Sequence, residues 1–142
     1  MAMRITELVY TELLNSIESA PPEHGGLLGG ESGIVDRMIL DLGTVNNDCN
    51  MYRPDARKLN AVLREWAAEG IALYGIFHTH PNAHGFERLS GADMVYIRKI
   101  MQCTGMKELY FPIVIPKVKV VPYAARQQSG CISIEKAELV IL

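Results

Sequence analysis

The segment His78-Thr79-His80-Pro81 closes a short apolar run, Ile71 to His80, flanked by Gly70 and Pro81. A run of that length and composition reads as a buried strand. Residues two apart in a strand face the same side, so the two imidazoles converge while Thr79 points away. Two converging neutral imidazoles suit a zinc ion, and a catalytic zinc also needs a third protein ligand and an open position for water. Asp93 is the nearest good third ligand. It lies in Ser90-Gly91-Ala92-Asp93, where Ser90 can cap a helix and the carboxylate in the first turn stays ionised beside the positive helix end. Water activation further needs a base. Glu23 is the candidate, placed in Pro22-Glu23-His24-Gly25-Gly26-Leu27-Leu28-Gly29-Gly30, where glycines let backbone approach a partner or ligand. Each feature taken alone has a plainer explanation. A His-x-His pair is more often structural, Ser-x-x-Asp is also a capping box, and a Glu after Pro-Pro suits a solvated helix stop. A phosphate loop is not indicated, since no Lys-Ser or Lys-Thr follows the glycines.

The elements that must position these residues are legible from periodicity. Ile5, Leu8, Val9, Leu13 and Ile17 share one helical face, ended by Pro21-Pro22. Gly25 to Gly30 and Ile34 to Leu42 read as a hairpin turning near Glu31 to Gly33. Thr44 to Tyr52, with Asn46, Asn47, Asp48 and Asn50, reads as a loop. Pro54 suits a first helical turn, with Leu59, Val62, Leu63 and Trp66 following until Gly70 closes a second helix. Pro81 to Leu89 is a polar loop, and Ser90 to Met101 forms a third helix with Met94, Ile97, Ile100 and Met101 at helical spacing. Glu108 to Ile115, Lys117 to Ala124 and Cys131 to Val140 are β-rich runs, although Glu135 to Leu139 can also start a helix. Three helices among about six strands, without repeats or linkers, predict a single mixed α/β (α+β) domain over residues 1–142.

Composition excludes several classes. The chain of 142 residues is 49% hydrophobic and 21% charged, which fits a folded domain and neither a disordered tail nor a fibre. A net charge of -2 provides no broad basic field for nucleic acid or an anionic membrane. No apolar run approaches the roughly 18 residues of a membrane span, and the start MAMRITELVY carries a Glu where a signal peptide would be apolar. A cytoplasmic protein is expected. The three cysteines, Cys49, Cys103 and Cys131, lack CxxC pairing, so they suit reduced structural thiols and not a disulfide framework or a four-cysteine zinc site.

Taken together, Glu23 with Gly26, Leu28 and Gly30, then His78-Thr79-His80-Pro81, then Ser90-x-x-Asp93 resemble the JAMM motif of the MPN (JAB/Mov34) metalloprotease family. The resemblance runs from the first helix to the third, including the Asn46 loop and the Gly75-Ile76-Phe77 approach to the histidines. It implies a cytidine-deaminase-like fold, with a central curved, mostly antiparallel sheet flanked by helices. It also implies that His78, His80 and Asp93 hold Zn2+, that Glu23 holds and deprotonates the attacking water, and that Ser90 helps stabilise the oxyanion. Twelve residues separate His80 from Asp93, two more than the family pattern usually has. His84 and Glu87 in this longer loop are the competing ligands, ranked below Asp93, and His84 is a candidate substrate contact at the rim. The implied reaction is hydrolysis of the peptide or isopeptide bond after the extended C-terminal tail of a ubiquitin-like protein, bound as an added strand. The near-minimal length and lack of a further Cys or His cluster point to a small ubiquitin-like or sulfur-carrier protein as substrate. The alternatives are a non-catalytic MPN scaffold that binds a protein partner, and a RadC-like DNA-associated protein, against which the acidic balance speaks.

Overall fold

The computed structural model describes residues 1–20, 22–44, 52–81 and 87–142. In chain order the elements are β1 (Ala2–Ile5), α1 (Glu7–Asn15), β2 (Gly25–Glu31), β3 (Ile34–Asp41), α2 (Ala56–Glu69), β4 (Ala72–Thr79) and α3 (Gly91–Thr104). There follow β5 (Glu108–Tyr110), β6 (Ile113–Ile115), β7 (Lys119–Val121), β8 (Tyr123–Gln128), β9 (Cys131–Lys136) and β10 (Glu138–Ile141). The expected mixed α/β domain is present, with its three helices around one curled sheet.

The main strand order is β10-β1-β3-β2-β4-β5-β8-β9, with β6 beside β4 and β7 beside β6. The sheet is antiparallel through β3-β2-β4 and β5-β8-β9, and parallel where β1 meets β3 and β10 and where β4 meets β5 and β6. Strands β9 and β10 occupy opposite ends of this order although only Ala137 separates them. The sheet must therefore curl until its two edges approach. Ala137 bridges them, its amide donating to Pro122 O at 3.0 Å while the next amide, of Glu138, donates to Met1 O at 2.8 Å.

The alternation of β4 feeds two cores. Ile76 packs with Leu59 and Trp66 of α2 and Ile97 and Met101 of α3. Phe77 packs on the other side with Val9 and Leu13 of α1 and with Met3, Ile5 and Val35. Adjacent residues of one strand thus anchor helices on opposite faces. Helix α2 sits close because Gly29 of β2 has no side chain: a Cβ there would run into the Trp66 ring.

Several boundaries differ from those predicted. Met3 and Ile5 are fully buried in the β1 ladder, and the first helix starts only after Thr6, whose hydroxyl accepts from Val9 N at 3.3 Å. The period of two in Met3 and Ile5 is hidden in a window that also fits a helix. The second helix starts after Asp55, whose side chain accepts from Lys58 N, so Pro54 precedes the helix. Ten strands form among the described residues, more than the six expected, because β1 adds one and Pro112, Pro122 and Ala137 divide three runs that composition alone joins. The Glu135 to Leu139 segment is strand and not helix. Turns Ser32-Gly33 and Ser129-Gly130 have both residues at positive φ, the geometry of tight hairpins. Cys103 and Cys131 are exposed free thiols, while Cys49 and the asparagine-rich loop around Asn46 lie outside the described residues.

Gly29→Val should force Trp66 off β2 and lower stability by about 1–3 kcal/mol. Gly91→Ala, where an added Cβ meets nothing within 4 Å, should stay within about 0.5 kcal/mol of the parent. Urea denaturation of the two variants checks the contrast.

Candidate metal centre and active site

Strand β4 delivers His78 and His80 to the α2/α3 side of the sheet, near the start of α3. Both are buried, at 4% and 8% exposure, which takes their rings out of bulk water. Backbone pairing continues past the end of β4, with His80 N donating to Val114 O at 2.9 Å. The rings meet edge to face, with Nε2 atoms 2.8 Å apart. Phe111 packs against His78 at 5.1 Å between ring centroids. Asp93 reaches the same point from α3: Oδ1 lies 3.3 Å from His78 Nε2 and Oδ2 lies 3.7 Å from His80 Nε2.

The capping box that explains Ser90 and Asp93 by helix stability is real and also aims the carboxylate. Ser90 Oγ accepts from Asp93 N at 3.0 Å, and Asp93 Oδ2 accepts from Ser90 N at 2.8 Å. One local motif thus caps α3 and fixes the Asp93 rotamer. Burial pushes the Asp93 carboxyl up, but hydrogen bonds with His78 and His80, together with the Ser90 amide, outweigh it and hold the group well below the usual carboxylate range. Ser90 is exposed beside this group. Its oxygen accepts while its O–H remains able to donate.

His78, His80 and Asp93 form a group that could hold a metal ion, with their ligand atoms all within 4.8 Å of one another. Tetrahedral zinc with N and O bonds of about 2.0–2.2 Å separates its ligand atoms by about 3.3–3.5 Å, and the observed 2.8, 3.3 and 3.7 Å bracket that spacing. Two neutral nitrogens and an ionised oxygen are also donors that zinc accepts. The donor set fits the ion.

Glu23 is half-buried and lines a cavity with His78 and Asp93. Two contacts position this stretch of chain. Thr79, pointing to the far face, accepts from His24 N at 2.9 Å through its Oγ1, while its own amide donates to His24 O at 2.8 Å. Tyr52 N lies 3.5 Å from Glu23 Oε2. Glu87 is turned away, ion-paired with Lys119, which holds its carboxyl below the ordinary range. His84 lies outside the described residues.

Sequence reasoning missed Asp41 and Tyr52. The Asp41 side chain, 1% exposed, accepts from Gly43 N at 3.0 Å, Tyr52 OH at 2.6 Å and Asp55 N at 2.9 Å. This one carboxylate joins the end of β3, the start of α2 and the Tyr52 ring, which lies where a Cβ on Gly25 would be. An acid ending an apolar strand was the available signal; two of its three donors lie 11 and 14 residues further on.

The profile of prokaryotic homologs of the JAB domain matches residues 8–128. No curated protein matches the chain. Among solved structures, protein DSY2949 from Desulfitobacterium hafniense is 18% identical with a TM-score of 0.62, covering 100% of this chain and 93% of its own. AF2198, a JAB1/MPN domain protein from Archaeoglobus fulgidus, is 18% identical with a TM-score of 0.58, covering 99% and 98%. A protein from Salinibacter ruber is 16% identical with a TM-score of 0.55, covering 99% and 92%. These likenesses show a shared fold.

Burial and the Asp41 hydrogen bond and charge push the Tyr52 phenol far above its ordinary value. A phenol shifted up stabilises the fold fully below its unfolded pKa of about 10, and that contribution is lost as pH rises above it. Tyr52→Phe should cost about 1.5–3 kcal/mol near neutral pH, and the gap between the two proteins in urea denaturation should narrow above about pH 10.

Proposed function

Because the chain belongs to the family of prokaryotic homologs of the JAB domain, we propose that it is a zinc-dependent metalloprotease. It would cut the amide bond after the C-terminal tail of a ubiquitin-like or sulfur-carrier protein. The observation that carries this reading is the convergence of His78, His80 and Asp93 on one point at the wall of a cavity that also contains Glu23. A structural role for two buried histidines would not require a carboxylate aimed at both.

In this reading His78, His80 and Asp93 hold the ion, which supplies Lewis-acid polarisation of the carbonyl and lowers the pKa of water toward about 7. Glu23 takes a proton from the attacking water and returns it to the leaving nitrogen. Ser90 donates its O–H to the oxygen on which negative charge develops. Phe111, packed against His78, shields that ring from water, which strengthens its electrostatic contacts. The protein partner would be the substrate itself. Among the described residues no helix is long and apolar enough to cross a membrane, and the net charge of -2 offers no broad basic field, which supports a reading without nucleic-acid binding.

Elemental analysis should find about one zinc ion per chain in the wild type and in Glu23→Gln, and little in His80→Ala or Asp93→Ala. Normal zinc in both ligand variants would remove the ligand assignment. Glu23→Gln should lower hydrolysis of tail-extended ubiquitin-like fusions by about 10²–10⁴-fold. A chelator should abolish wild-type cleavage and added zinc should restore it. A protein that binds such fusions but never cleaves them is a scaffold instead.

A further inference from the structure

The cavity next to the three metal-ligating candidates has a composition that water activation does not require. Its volume is about 210 Å³, and away from Glu23, His78 and Asp93 its walls are Tyr52, Pro54, Ile76, Tyr96 and Phe111, with Ala92 also lining it. The Tyr52 hydroxyl is taken by Asp41, so the phenol has its preferred partner outside the cavity. Tyr96 and Phe111 meet edge to face at 6.1 Å. Among the described residues, the ionisable groups on the wall other than tyrosine are Glu23, His78 and Asp93, all on the metal side.

Size limits the occupant. Cofactor and drug-sized pockets run to about 300–1,000 Å³, whereas an apolar cavity of about 150 Å³ already accepts benzene. A chamber of 210 Å³, part of which the ion and the attacking water would fill beside His78 and Asp93, therefore holds at most one side chain of leucine, methionine or phenylalanine size. Resting on the hydrolase reading above, we propose that it is a specificity pocket for the apolar side chain of the residue whose amine leaves. Glu23, which would protonate the departing nitrogen, is in the chamber wall, so the chamber lies on the leaving side of the scissile bond. Water adds to the carbonyl carbon, the C–N bond breaks, and the nitrogen departs with the proton from Glu23. The products are a carrier ending in a carboxylate and a free α-amine on an apolar residue. An isopeptide fits this chamber poorly. Its leaving nitrogen heads a four-methylene stem, and placing that stem inside would require room for the partner's backbone at the bottom. A charged side chain, acidic or basic, would have to give up its water among Ile76, Tyr96 and Phe111.

The test uses the zinc-loaded full chain and fusions of one ubiquitin-fold carrier whose first residue after the cut is Leu, Phe, Gly, Asp or Lys. Leu or Phe should be cut with kcat/KM about tenfold or more above Gly, and further above Asp and Lys. Ala92→Leu, which narrows the chamber, should bring the Leu-to-Gly ratio toward one. Tyr96→Ala, which enlarges it, should shift the preference toward Trp. Equal rates for Leu, Gly and Asp would overturn the pocket while leaving the hydrolase reading intact. If no fusion is cut, amide chemical shifts of Ala92 and Tyr96 decide the pocket independently. Saturable shifts with leucinamide and none with glycinamide support it, and equal or absent shifts with both overturn it.

Discussion

Strand β4 must do two jobs at once, and the alternation of its side chains is what allows it. Ile76, His78 and His80 face α2 and α3 while Phe77 and Thr79 face the α1 side. Shifting its register by one residue would exchange these sets, placing two imidazoles in the α1 core and a phenylalanine at the candidate metal position. The strand is also central, paired with β2 on one side and with β5 and β6 on the other. The site therefore sits on a strand held by backbone pairing from both sides.

Around this strand, contacts that stabilise the fold also define the site. The Ser90–Asp93 capping box starts α3 and orients the carboxylate. Thr79 joins β4 to the residue after Glu23. Asp41 gathers β3, the start of α2 and Tyr52, and Tyr52 in turn lies beside both Glu23 and the pocket. At Thr79 and Asp41 a polar group removed from water is satisfied by donors that the correct tertiary neighbour must supply, so a misplaced element leaves it unpaired at a cost of about 1–3 kcal/mol. Glycine makes the closeness possible at Gly25 and Gly29, where ring systems from distant elements occupy the space of a side chain.

The His-His-Asp group was legible because its geometry is local. A period of two converges His78 and His80, and an i to i+3 cap holds Asp93; both follow from backbone geometry over a few residues. Helices α2 and α3 were legible for the same reason. Strand β1, the division of β9 from β10 and the roles of Asp41, Tyr52 and Phe111 were not. Each depends on a partner remote in the chain, such as Glu138 for Met1 or Tyr52 for Asp41.

What the sequence by itself determined is the set of groups able to do chemistry and the short-range spacing that lets three of them meet. It also carried the family, since the motif residues Glu23, His78, His80, Ser90 and Asp93 all lie within the matched span of 8–128. Only the tertiary structure decided that the sheet curls until β9 and β10 lie at opposite edges one residue apart. It alone put Glu23 in the same wall as His78 and Asp93 and surrounded them with an aromatic chamber. The physical reason is range: dihedral preferences and capping act over a few residues, whereas a cavity is made by surfaces that chain connectivity brings together only when the whole sheet closes.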